Sequence, residues 1–163
     1  MGKTVRETIK EITRKHLTEE NGLCFGQCLT AVGWVGGTLP EMYEDEGMVE
    51  VTTADVANGG FVVGAGLQGV RPIYVVRYQG FQWYNAPIII NYACKSKEIW
   101  GIACPIFIRS IAMEGGIGPV AGSSHHCALF LFRRAELQNM DFCLLHQLKV
   151  HLDRIQRIQE ELQ

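Results

Sequence analysis

Hydrophobic positions along the chain switch between helical and strand spacing. Apolar residues separated by charged ones predict an amphipathic helix over 4–19: Val5, Ile9, Ile12 and Leu17. Short apolar runs typical of buried strands follow at 23–29, 48–52, 72–78 and 106–111. Helices are predicted between these runs, one from Asp55 and one over 86–100. This alternation predicts an α/β fold, with a largely parallel sheet and helices on both faces.

The pattern changes from Arg133 onward. Apolar residues there recur every three or four positions amid charged ones: Leu145, Leu148, Leu152, Ile155 and Leu162. We therefore divide the chain into a domain over 1–132 and an amphipathic C-terminal helix over 133–163. Two placements of this helix are open, docking on a partner or packing on its own domain.

Composition excludes several classes of protein. A chain of 163 residues with 47% hydrophobic content is expected to build one sizeable core. Its net charge of -2, without a basic stripe, gives no reason to expect nucleic acid as a partner. No apolar run is long enough to cross a membrane, and the charged first helix does not resemble a secretory signal. We expect a cytoplasmic protein that does not bind a membrane.

The six cysteines lie mostly among apolar neighbours. Such cysteines are typical of reduced thiols in a core, so we expect no disulfide framework. Cys24 and Cys28 stand four apart, and no second pair of matching spacing completes a zinc site. The sequence therefore predicts no metal site in this chain.

The predicted helix that begins at Asp55 contains four glycines: Gly59, Gly60, Gly64 and Gly66. Each glycine in a helix interior costs about 1 kcal/mol relative to alanine, so the missing side chains should serve a purpose. One interpretation is close packing against a sheet or a partner helix. A more specific one is that this close approach sets a cofactor pocket at the N-terminus of the helix.

A series of motifs carries a resemblance to a known family. Asp55 opens the glycine-rich helix, Gly69-Val70-Arg71-Pro72 leads into a strand, and Phe81 follows that strand. Matching segments continue in the same order at 91–95, 105–109, 115–118 and 124–126. Over about 3–126 the chain resembles the pyrimidine-binding domain of the transketolase and 2-oxoacid (pyruvate) dehydrogenase beta-subunit family of thiamine-diphosphate enzymes.

The resemblance implies a catalytic role for Asp55. In the family a glutamate at this position hydrogen-bonds a nitrogen of the cofactor's aminopyrimidine ring and promotes removal of the thiazolium proton. Aspartate carries the same charge on a stem one methylene shorter, a loss of reach of about 1.5 Å. The alternative is an ordinary acid at a helix N-terminus, stabilised by the helix dipole.

Two further site residues follow from the resemblance. Phe81 matches the aromatic residue that stacks on the aminopyrimidine ring, although it can also be a core phenylalanine. His126, in the pair His125-His126, matches a catalytic histidine near the substrate, although it can also be an exposed loop residue. Polar Gln79 and Gln82, close to Phe81, suit the rim of a pocket better than a sealed core.

The resemblance also implies a cofactor and a partner. Thiamine diphosphate would be shared with an alpha-type subunit that binds the diphosphate through magnesium, in a homo- or hetero-oligomer. The chain alone is therefore expected to be inactive. The alternative is a catalytically inactive assembly or regulatory module that retains the fold. A third reading, an unrelated nucleotide binder, lacks a phosphate loop because Gly115-Gly116-Ile117-Gly118 fits no such pattern.

Overall fold

The first helix begins where its sequence provides a cap. In the computed structural model, which describes residues 2–30, 37–77, 79–111 and 142–145, helix α1 spans Val5–Glu19. The hydroxyl of Thr4 accepts from the amide of Glu7 at 3.3 Å, and the carboxylate of Glu7 accepts from the amide of Thr4 at 2.7 Å. This capping box satisfies amides that the first turn leaves without helical partners.

The remaining elements follow the predicted alternation. They are strand β1 (Gly22–Gly26), strand β2 (Met48–Glu50), helix α2 (Asp55–Leu67), strand β3 (Arg71–Val76), helix α3 (Gln82–Ile88), helix α4 (Ser96–Trp100), strand β4 (Phe107–Ile111) and strand β5 (Phe142–Leu145). The helix predicted over 86–100 is therefore two short helices, joined by a π-helical segment at Ile89–Ala93. Pro87 lies inside α3 and has no amide hydrogen to donate, which weakens a continuous α-helix here.

The five strands form one parallel sheet in the order β2-β1-β3-β4-β5. The register pairs Cys24 with both Met48 and Ile73, and Ile73 with Phe107. Helices cover both faces, since β3 sends Tyr74 and Val76 into a core with α2, and Ile73 and Val75 into a core with α1. The predicted α/β fold with a largely parallel sheet is confirmed.

The prediction of a C-terminal helix is wrong for residues 142–145. Phe142–Leu145 is a strand that pairs in parallel with β4, whereas helix was predicted over 133–163. A run of four residues is too short for its spacing to separate a strand from a helix, and the neighbouring strand decides the outcome. The other residues of 133–163 lie outside the part of the chain that the structure describes.

Candidate functional site

The candidate site lies at the edge of the sheet where the parallel strands end. β1, β2 and β3 all finish at this carboxyl edge, and the next residues along the chain carry the polar and aromatic groups. Gln27 follows β1, Asp55 follows β2 and Phe81 follows β3. Ligands of open α/β sheets bind at such edges because the loops that leave the strands gather there.

Asp55 is the first residue of α2 and is only partly exposed. Partial burial raises the pKa of its carboxyl above the ordinary value, while a hydrogen bond from its own amide and the charge of Arg77 oppose this rise. A carboxyl group in this environment accepts a proton more readily than an exposed one. The environment therefore suits a group that exchanges a proton with a ligand.

Gln27 is the side chain that contacts the carboxylate of Asp55. Its amide Nε2 lies 3.5 Å from Oδ1 of Asp55, a long hydrogen bond. The side chain is buried, with 8% exposed. A buried amide donor beside a carboxylate restrains the direction in which the carboxylate points.

A path of hydrogen bonds joins the backbone of Asp55 to that of Phe81. The buried hydroxyl of Tyr74 lies 3.4 Å from the carbonyl of Asp55 and 3.3 Å from Oδ1 of Asn85, and its one proton is shared between them. Asn85 in turn donates from Nδ2 to the carbonyl of Phe81 at 3.4 Å. Burial raises the pKa of Tyr74, so its hydroxyl stays protonated. These hydrogen bonds therefore connect the start of α2 to the turn that contains Phe81.

Phe81 ends a short turn of 3-10 helix at Gln79–Phe81. Its ring is partly buried against the core that α2 and β3 share, and it lies 6.4 Å from the ring of Tyr84 in a tilted arrangement. Tyr84 is more exposed than Phe81, with 57% of its surface accessible. Phe81 as a whole is of intermediate exposure, so it is not sealed in the core.

The glycines of α2 divide into two pairs. A Cβ atom at Gly59 would lie 2.4 Å from Oδ1 of Asn85, and one at Gly66 would lie 2.8 Å from Sγ of Cys104. These two glycines let the helix approach α3 and the segment before β4. At Gly60 and Gly64 a Cβ atom would meet nothing within 4 Å. Close packing within the domain thus explains one pair and leaves the other on an open face.

Other predicted site residues fall in different places. Gln82 is fully buried and donates to the hydroxyl of Ser110 at 2.6 Å, so the prediction that it lines a pocket rim is wrong. The side chain binds α3 to the end of β4 instead. His125 and His126 lie outside the described residues.

Three residues of this arrangement were not singled out from the sequence: Gln27, Tyr74 and Asn85. Each is a polar residue within or next to an apolar stretch, and buried polar groups in proteins have hydrogen-bond partners. A polar residue in an apolar stretch is therefore the sequence feature that indicates a buried hydrogen bond. The partners themselves come from different strands and helices, so the spacing along the chain does not reveal them.

A cavity of about 570 Å³ lies elsewhere, between α1 and the beginnings of β3 and β4. Its wall is mostly apolar and includes Ile12, Pro72 and Phe107. Parallel strands begin at the edge opposite to the one where they end, so this cavity is remote from Asp55.

Within the described residues, no group of three or more histidine, cysteine or acidic side chains could hold a metal ion. The four cysteines among them, Cys24, Cys28, Cys94 and Cys104, are not joined in disulfides. No helix in the same part of the chain is long and apolar enough to cross a membrane.

Comparisons with known proteins bear on the fold. No family model matches this chain, and no curated protein matches it significantly. Among solved structures it is similar to a "Split gene transketolase, inactive beta4 tetramer", with a TM-score of 0.51 and 13% sequence identity. The match covers 88% of this chain and 51% of that one, so this chain spans about half the length of its structural neighbour. The fold is transketolase-like.

Proposed function

We propose that this chain is a beta-type subunit, or a piece of one, of a thiamine-diphosphate-dependent enzyme of the transketolase or 2-oxoacid dehydrogenase type. The observation that carries the proposal is the hydrogen-bonded path from Asp55 through Tyr74 and Asn85 to Phe81. The path connects the backbones of two residues at the carboxyl edge of the sheet, and their side chains, a carboxylate and an aromatic ring, are the two groups that an aminopyrimidine ring would require. The transketolase-like fold supports the same assignment.

Asp55 would bind a nitrogen of the aminopyrimidine ring. A carboxyl whose pKa is raised by burial can share a proton with that nitrogen, as general acid chemistry requires. The side chain is partly exposed, which leaves it accessible to a ligand. Since aspartate is one methylene shorter than glutamate, the ring would have to lie closer to the start of α2.

Phe81 would stack on the same ring. Offset stacking between aromatic rings contributes about 0.5 to 1.5 kcal/mol beyond the burial of area. The core behind Phe81 restricts its motion, so little conformational entropy is lost when a ligand binds. We place His126 near the substrate on the strength of the sequence resemblance.

An alpha-type partner would complete the cofactor-binding site. When bound, thiamine diphosphate supplies the carbanion-stabilising chemistry that makes or breaks a bond next to a carbonyl. We assign the diphosphate and its magnesium to the partner, and we expect this chain to be inactive alone. The residues of this chain would hold and orient the aminopyrimidine half.

The outer face of α2 is the surface that we propose for oligomer formation. Val56 is 53% exposed and Phe61 is 68% exposed on this face, next to Gly60 and Gly64. Exposed apolar residues beside glycines that meet no neighbour allow another helix to approach closely. The structural neighbour is described as a tetramer.

The alternative is an inactive assembly or regulatory module, and the aspartate at position 55 is the observation that favours it. The substitution Asp55→Glu separates the two proposals in this chain co-purified with a diphosphate-binding partner. If the aspartate site is adapted for catalysis, the longer side chain should reduce turnover of the complex. A gain of activity from an inactive starting complex would instead support the inactive module.

A further inference from the structure

One carboxylate binds the backbone of residues 27–30, which follow β1 and are called here the loop after β1. Glu50, the last residue of β2, accepts hydrogen bonds from the amides of Cys28, Leu29 and Thr30, at 2.9 Å from Leu29 and 3.3 Å from Thr30. The hydroxyl of Thr30 donates to the same carboxylate at 3.2 Å. Successive amides that converge in this way form a concave anion-binding nest, and here an anion from the neighbouring strand fills it.

The backbone of this loop adopts a conformation that needs support. Cys28 has a φ of 57°, in the left-handed region that residues other than glycine rarely adopt. This conformation turns the amide of Cys28 and the two that follow toward Glu50. The carboxylate of Glu50 therefore stabilises a loop shape that the sequence of the loop does not favour.

Gln27 lies between the two anchors of this loop. On one side the carbonyl of Gly26 accepts from the amide of Val51 at 2.9 Å, and on the other the nest binds Glu50. The side chain of Gln27 extends from this restrained backbone to within 3.5 Å of Oδ1 of Asp55. A change at the nest should thus reach Asp55 through Gln27.

We propose that Glu50 is a positioning residue, which holds the loop after β1 so that Gln27 stays against the carboxylate of Asp55. The importance of this positioning for catalysis rests on the proposed function, in which Asp55 binds the cofactor. The groups that Glu50 binds are the amides of Cys28, Leu29 and Thr30 and the hydroxyl of Thr30. Glu50 acts through the loop.

The charges around Asp55 allow this role to be separated from a direct electrostatic effect. The charge of Arg77 lowers the pKa of Asp55, and the backbone carbonyl of Asp55 accepts from the hydroxyl of Tyr74. Removing the negative charge of Glu50 would by itself lower the pKa of Asp55. Losing the hydrogen bond from Gln27 would raise it, because that bond favours the ionised form. Loss of charge and loss of the hydrogen bond therefore shift the pKa of Asp55 in opposite directions.

The test is a double-mutant cycle read by NMR titration of the Asp55 carboxyl carbon in the full chain without cofactor. Glu50→Ala should raise the pKa of Asp55, and Gln27→Ala should raise it as well. In the Gln27→Ala background, Glu50→Ala should cause no further rise. Glu50→Gln, which keeps the shape of the side chain, provides a milder second variant if Glu50→Ala does not fold.

Glu46→Ala is the matched control. Glu46 also binds a backbone amide, but that of Tyr43, at 3.0 Å, rather than those of Cys28, Leu29 and Thr30. This variant should leave the Asp55 titration unchanged. An equal effect of Glu50→Ala in the presence and absence of Gln27 would overturn the proposal. Because no cofactor is used, failure of the cofactor proposal and failure of this one give different results.

Discussion

Asp55 shows how the surroundings of one residue decide what it can do. An acid at a helix N-terminus is normally stabilised in its ionised form by the helix dipole. Here partial burial is the larger influence and raises the pKa of the carboxyl. Its environment favours proton uptake, which is the property that the proposed role of Asp55 needs.

The raised pKa has a consequence for stability. Because the folded protein binds this proton more readily than the unfolded chain, the associated stability is fully present below the unfolded pKa of about 3.9. It is lost as the pH rises through the raised folded pKa. Asp55→Asn cannot ionise, so relative to the original chain it should gain stability between about pH 4 and pH 7.

Urea denaturation of the original chain and of Asp55→Asn, at about pH 4 and pH 7, measures the difference in their free energies of unfolding. If Asp55→Asn loses stability relative to the original chain as the pH rises, the carboxyl is stabilised in its ionised form. The assignment of a raised pKa would then be wrong.

At the scale of elements, the contact between α2 and α3 depends on the position of one glycine. A Cβ atom at Gly59 would collide with Asn85, which also binds Tyr74 and the carbonyl of Phe81. The close approach of these helices therefore supports the hydrogen-bonded path at the site. Gly60, the next residue along the helix, faces open space.

This difference gives a matched pair of substitutions. Gly59→Ala should destabilise the fold by about 1 to 3 kcal/mol because the added methyl group overpacks the contact. Gly60→Ala should stabilise the isolated chain by up to about 1 kcal/mol because alanine favours a helix. Urea denaturation in dilute solution measures both. Equal effects of the two substitutions would show that α2 is not oriented as described.

The elements were largely predictable from the sequence, and the reasons are local. The spacing of Val5, Ile9 and Ile12 predicts α1, and the apolar runs predict β1 to β4 to within a few residues. The order of motifs located Asp55 and Phe81 after their strands. Phe142–Leu145 was missed because pairing with β4 decides its structure. The contacts of Gln27 and Asn85 could not be predicted, because they join elements that are distant in the sequence.

At the scale of the whole molecule, the chain spans about half the length of its structural neighbour and exposes an apolar face on α2. The exposed apolar face is the surface that we propose for contact with another subunit. In the proposed assembly, the alpha-type partner contacts the carboxyl edge of the sheet and another subunit contacts the outer face of α2.

Phe61→Asp tests the proposed oligomer surface. Burying a new charge between two helices is costly, so sedimentation velocity should show smaller assemblies for this variant. Ile12→Asp is the control, since Ile12 on α1 is similarly exposed, at 64%. It should leave the assembly unchanged. A reduction in size by Ile12→Asp alone would place the interface on α1 and contradict the proposal.

We propose that Asp55 and Phe81 bind one aminopyrimidine ring. The most direct measurement is NMR of the chain labelled at aspartate and phenylalanine, titrated with the free aminopyrimidine half of thiamine. We expect saturable shifts at the Asp55 carboxyl and the Phe81 ring, with affinity on the order of 1 mM, and their loss in Phe81→Ala. An unchanged spectrum at both residues, or shifts that persist in Phe81→Ala, would contradict it.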